Sequence, residues 1–182
     1  MSNQEILFHC APTLANVKMG NLFSISYQSK TWLKEHIRRK NDIFNEKGVF
    51  VHLLKSKNGT ALIYIYRKNQ LEERLGEREI QNFLGEFGYD EFQLEAAFEK
   101  LENHLNLEDF PHEIGVFLDY PLEDIRGFIH HRGKNFTHSG CWKVYHNPEN
   151  ALLLFQRYKK CVRIYLERYA QGFDMNRLVV AG

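Results

Sequence analysis

Two stretches of this chain carry residue types suited to chemistry. The first is Phe8-His9-Cys10-Ala11-Pro12-Thr13-Leu14-Ala15. Glu5 to Cys10 reads as a short strand, so Cys10 stands where that strand breaks into a proline-bearing loop. A thiol so placed is a candidate nucleophile, redox group or ligand, provided a cation or helix N-terminus lowers its pKa. Successive strand residues point to opposite faces, so His9 is not its base and a partner must come from elsewhere. The plainer reading is a small buried hydrophobe, because free cysteine is among the most buried residue types.

The second stretch runs from His130 to Trp142 and holds His130, His131, Arg132, Lys134, His138 and Cys141, with Gly133 and Gly140 freeing the backbone. A solvated loop whose glycines satisfy turn geometry is its first reading. Next comes an anion site, with Arg132 and Lys134 supplying charge. A metal site from His138 and Cys141 with His130 or His131 ranks last, because the spacing fits no established zinc pattern and no CxxC pair is present. The candidate residues are therefore Cys10 as a catalytic thiol and Thr13, Arg132, Lys134 and His138 as ligand contacts, with no metal and no cofactor identified. No P-loop, GxGxxG, HExxH or GxSxG occurs. Glu123 and Asp124 compensate a helix N-terminus without catalysis. His52 reads as a core histidine with a satisfied hydrogen bond. Cys161 falls on an apolar helical stripe with Ala151, Phe155, Tyr158 and Tyr165, and is expected buried and unreactive, Cys10 being the more reactive thiol.

The elements that must position these residues follow from periodicity and turn chemistry. Asn21 to Ser26 reads as a strand. Ser29 or Thr31 caps a helix to about Lys47, stopped by Gly48. Val49 to Arg67 reads as a hairpin, because Asn58-Gly59 suits a type I′ turn. That turn predicts Leu54 opposite Ile63 and His52 opposite Ile65, with Phe50, Leu54, Ile63 and Ile65 on one face. The hairpin is apolar on both faces, as expected of a central element covered on both sides. Gln70 to Phe87 and Gln93 to Leu105 read as amphipathic helices. Ile114 to Asp119 reads as a strand, Pro121 to His131 as a helix and Cys141 to His146 as a strand. If parallel, those two strands make a right-handed crossover. Asn147 caps a long helix from Pro148 to about Gln171, and Leu178 to Val180 reads as an edge strand.

The expected fold is therefore α/β or α+β: a single domain over residues 1–182, with a mixed sheet of about five or six strands, a central β-hairpin and packed helices. In open α/β sheets ligands bind beyond the carboxyl ends of strands, which points to Cys10–Thr13 and Asp119–Pro121.

Composition narrows the function classes. The chain has 182 residues with 24 basic and 23 acidic side chains, a net charge of +1. Such balance disfavours a general nucleic-acid or membrane-surface binder. Tyr158 and Tyr165, beside basic residues, are the best candidates for stacking on a base, a weaker reading for the same reason. Three cysteines at unrelated spacings fit free thiols in a reducing compartment better than a disulfide framework. No signal peptide is visible after Met1, and no apolar run approaches the roughly 20 residues of a membrane span. A soluble cytoplasmic protein is expected.

His9-Cys10-Ala11-Pro12-Thr13-Leu14-Ala15 with Lys18, Gly115 to Ile129, Gly133-Lys134-Asn135, Trp142-Lys143-Val144-Tyr145 and Tyr158-Lys159-Lys160-Cys161 together resemble the bacterial domain-of-unknown-function family 3793. Asp119 stands where that resemblance leads us to expect glycine, which implies a position tolerant of a side chain. The resemblance implies no activity, substrate or catalytic residue, and carries a loose association with iron and flavodoxin genes. Two functions are therefore expected. One is a cytoplasmic protein binding a small anionic ligand or cofactor, with thiol chemistry at Cys10. The alternative is a non-enzymatic interaction or accessory module in iron or redox metabolism.

Overall fold

The computed structural model describes residues 1–182. Its centre is an antiparallel sheet of β1 (Gly20–Ser26), β2 (Val49–Lys57) and β3 (Thr60–Arg67), in the order β1-β3-β2. The β2–β3 turn is as expected: Asn58 and Gly59 both have positive φ, 52° and 76°, the combination a type I′ turn requires. Lys55 lies opposite Leu62, but Leu53 then lies opposite Ile63 and His52 opposite Tyr64. Leu54 is the extra residue of a bulge, and one extra residue in a period-two strand exchanges its faces. The expected pairing of Leu54 with Ile63 is corrected accordingly. Leu54 joins Tyr64 and Tyr66 on one face, while Val49 and Val51 join Ile63 and Ile65 on the other.

Both faces are covered by helices. One bears α1 (Asn3–Leu14), α2 (Lys30–Phe44) and α9 (Met175–Leu178), together with the C-terminal half of α8 (Pro148–Ala170). The other bears α3 (Lys68–Gly76), α4 (Arg78–Gly85), α5 (Leu94–Leu105), α6 (Ile114–Phe117) and α7 (Leu122–His130). The two-residue strands β4 (His138–Ser139) and β5 (Lys143–Val144) pair with each other. Val144 and Trp142 pack with Ala151, Phe155 and Tyr158 of α8 in a third, small cluster.

The architecture is thus α+β, with sheets of three and two strands in place of one sheet of five or six. Glu5 to Cys10 is helix because Ser2 and Glu5 form a reciprocal capping box: Ser2 Oγ accepts from Glu5 N at 3.1 Å and Glu5 Oε2 from Ser2 N at 2.6 Å. Ile6, Leu7, Cys10, Ala11 and Leu14 then form one buried helical stripe. Ile114 to Phe117 is a single helical turn buried among α5 and α7, so the crossover of parallel strands does not form. A four-residue apolar run suits either state, and no neighbouring strand is within reach to pair with it. Leu178 ends α9, whose N-cap Asp174 accepts from Arg177 N at 2.8 Å. The expected helix over Gln70–Phe87 is two helices that meet at Glu77, after Gly76.

Candidate functional site

Asp119 and Cys141, marked in the sequence for their loops, act on a residue that is not among the candidate site residues, Lys18. Past the end of α1, Val17 N and Lys18 N both donate to Pro12 O, at 2.9 and 3.2 Å. This folds the chain back on the helix and aims Lys18 between α1, α8 and the segment at Tyr120. Lys18 is 4% exposed, yet its ammonium makes no hydrogen bond and no ion pair. Its Nζ sits 5.3 Å from the centre of the Tyr120 ring and 5.9 Å from that of Tyr158, within cation–π range of both. Burial pulls its pKa from the usual lysine value to about 8, and Cys141, Asp119 and Cys10 oppose this only in part.

Lys18 forms part of the wall of a cavity of about 650 Å³. Phe8, His9 and Pro12 of α1 form one side and Tyr158, Lys159 and Arg163 of α8 the other. Asn21, Tyr120 and Cys141 close it. The charged groups around this space are largely cationic. Arg163 is shared with Glu167 at 2.9 Å, whereas Lys159 and His9 stand exposed at the rim. Tyr120 fixes the far wall by donating from its hydroxyl to Cys141 O at 3.0 Å and packing its ring, tilted by 32°, 5.0 Å from that of Trp142. Its own pKa is pushed up to about 12 by burial. Asp119 precedes it with a φ of 61°. Glycine meets no strain at such a φ, and aspartate is among the few side chains that tolerate it. Burial raises the Asp119 pKa against the pull of Arg74 and Lys18.

The sequence-marked residues fall in three places. Cys10 is fully buried on the inner stripe of α1, and burial drives its thiol far above the usual value. The expected strand-to-loop exposure is corrected: the helix turns this side chain into the core. Cys141 is the exposed thiol and borders the cavity. Partial desolvation by its neighbours raises its pKa, with Lys18 and Lys159 pulling the other way. Cys161 is only half-buried, and burial lifts it to about 11. Thr13 is buried and donates from Oγ1 to Asn21 Oδ1 at 2.8 Å, so it supports a cavity residue from behind. Arg132, Lys134 and His138 point outward and do not border this cavity. Arg132 and Gly133 have φ of 52° and 69° and end α7, which is the turn geometry their composition signalled.

A second cavity, of about 460 Å³, lies behind the Tyr120 and Trp142 rings and is walled chiefly by apolar side chains such as Ile114, Ile125 and Phe128. Its one carboxylate, Asp124, is fully engaged: Oδ2 accepts from Trp142 Nε1 at 2.7 Å, and Oδ1 from Tyr145 N and His146 N at 2.7 and 2.8 Å. Asp124 therefore ties the β4–β5 region to α7 and has nothing left for a ligand. His52 is likewise satisfied, by Glu102 at 2.7 Å and a stack on Phe98. No group of three or more histidine, cysteine, aspartate or glutamate side chains converges as a metal site. No helix is long and apolar enough to cross a membrane.

The family model described as "Protein of unknown function (DUF3793)" matches residues 6–179 of the chain. No curated protein and no solved structure matches it.

Proposed function

From a chain that belongs to the DUF3793 family, and so brings no assigned activity with it, we propose a cytoplasmic protein that binds a small anionic ligand or cofactor in the Lys18 cavity. The observation that carries this reading is Lys18, a residue only 4% exposed whose ammonium faces the cavity with no hydrogen bond and no ion pair. A buried charge without a partner is costly, of the order of several kcal/mol, and is normally paired or neutralised. Two tyrosine faces offset part of that cost. An anion in the cavity would offset the rest, and would meet Lys159 and His9 at the entrance. Charged side chains and aromatic rings are interleaved around the cavity, with Lys18, Lys159, Phe8, Tyr120 and Tyr158 all lining it, which suits a ligand with an acidic group and an apolar body. Thiol chemistry at Cys10 is not part of this reading, because that sulfur has no route to the cavity's contents.

Thermal denaturation of wild type, Lys18→Met and Arg132→Gln/Lys134→Gln in phosphate, nucleotides and flavin mononucleotide tests the site. At least one anion is expected to raise the midpoint of wild type and of the double variant, and to leave Lys18→Met at its own baseline. A response lost in the double variant but kept in Lys18→Met would move the site to the loop after α7. No response from wild type would sink the proposal.

A further inference from the structure

We infer that Lys18 is an imine-forming lysine and that the cavity's ligands are small anionic aldehydes or ketones. This rests on the anion-binding reading above and names the chemistry of that site. Lys18 differs from the other lysines in two ways that matter for carbonyl chemistry. Its side chain is largely buried and its amine lies 5.3 and 5.9 Å from the Tyr120 and Tyr158 rings, and no carboxylate or carbonyl occupies its nitrogen. Lysines that ion-pair on the surface, such as Lys68 with Glu72 at 3.7 Å, have a carboxylate partner. An amine in a desolvated pocket is neutral for a larger share of the time at neutral pH, and only the neutral form attacks a carbonyl. The pKa of about 8 is in keeping with that placement.

The step balances without a further reactant. The lone pair of Lys18 Nζ adds to the carbonyl carbon, and the carbonyl oxygen takes a proton to give a carbinolamine. Loss of one water then gives the imine. In its protonated form the imine keeps the positive charge at the position of the ammonium, so the electrostatic environment that holds an anion survives the reaction. The anionic group of the same ligand has Lys159 at the rim.

The experiment is reductive trapping. Wild-type protein is incubated with low pyridoxal 5′-phosphate, and separately with unphosphorylated pyridoxal and with glyoxylate, then reduced with cyanoborohydride and peptide-mapped by mass spectrometry. Lys18 is expected to be modified at least tenfold faster than any other lysine by the anionic aldehydes, and to lose most of that advantage with pyridoxal. Inorganic phosphate should slow the labelling. Lys159→Gln should keep Lys18 labelling but narrow the gap between pyridoxal phosphate and pyridoxal. Label spread evenly over exposed lysines, or an unlabelled Lys18, overturns the inference. If Lys18 stays unlabelled while anions still stabilise the protein, imine chemistry falls and anion binding stands. If neither is seen, both fall.

Discussion

Lys18→Met should make the unliganded protein more stable at neutral pH. The unfolded chain holds this ammonium at the usual value of 10.5, and the folded chain at about 8. Each tenfold change in proton affinity corresponds to about 1.4 kcal/mol, so folding with a charged Lys18 costs about 3 kcal/mol at pH 7. The sign follows from proton counts. Between pH 8 and 10.5 the unfolded state binds more protons than the folded one, so stability rises with pH across that window. The cost is fully present below about 8 and gone above about 10.5. Methionine matches the length of the stem and carries no charge. It gives up the attraction to Tyr120 and Tyr158, roughly 1–2 kcal/mol where desolvated. The net gain is about 1–2 kcal/mol, or roughly 2–8 °C for a chain of this size. Urea denaturation at pH 7 and pH 10 measures it, and the advantage of Lys18→Met should shrink to below about 1 kcal/mol at the higher pH by the same linkage. A variant less stable than wild type at pH 7 would show that the tyrosine faces outweigh desolvation, and the case for an anion completing the site would lose its footing.

Three further outcomes are expected. Arg67→Met should cost about 2–4 kcal/mol, because the Arg67 guanidinium donates to Thr13 O and Leu14 O at 2.8 Å and to Val180 O at 2.9 Å, and a urea midpoint moved by less than a quarter of that would refute its role as the cap of α1. Native alkylation mapped by mass should label Cys141 first and Cys10 only on unfolding; early labelling of Cys10 would contradict the burial of the α1 stripe. Gly59→Val should destabilise by on the order of 1–2 kcal/mol through strain at positive φ, and an unchanged denaturation midpoint would count against the turn type.

Much of the scaffold was legible where local chemistry and long-range packing agree. The Asn58-Gly59 turn, the Ser29 and Asn147 caps and the periodicity of α5 and α8 all signal what forms. The segment before Cys10 misled because its apolar run is short and Pro12 follows it. The capping signal was present, in Ser2-Asn3-Gln4-Glu5, and so was the helical spacing of Ile6 and Cys10 or Leu7 and Leu14. The Leu54 bulge left no trace, since its cause is the fit of Leu54 among residues of distant helices. The candidate site was half legible. Cys141 and Asp119 border or act on it, but they were marked as members of separate loops. In the sequence Lys18 stands out only as part of the stretch that resembles the family, and its burial between two tyrosines is a tertiary feature that no local pattern signals. Arg132, Lys134 and His138 drew notice through composition, which a solvated turn shares.

Trp142 gives the molecule an optical window on this region. The chain has two tryptophans. Trp142 is buried with its indole N–H on Asp124 and its ring against Tyr120, the wall between the two cavities. Trp32 is far off on α2, stacked at 3.9 Å on His36. In a Trp32→Phe background the emission therefore comes from one indole, whose surroundings change when Tyr120 shifts or a chromophoric ligand enters. Excitation of the tyrosines beside it would reach it by energy transfer, so occupancy and motion of the Tyr120 wall become readable in one cuvette, without a tag or a dye.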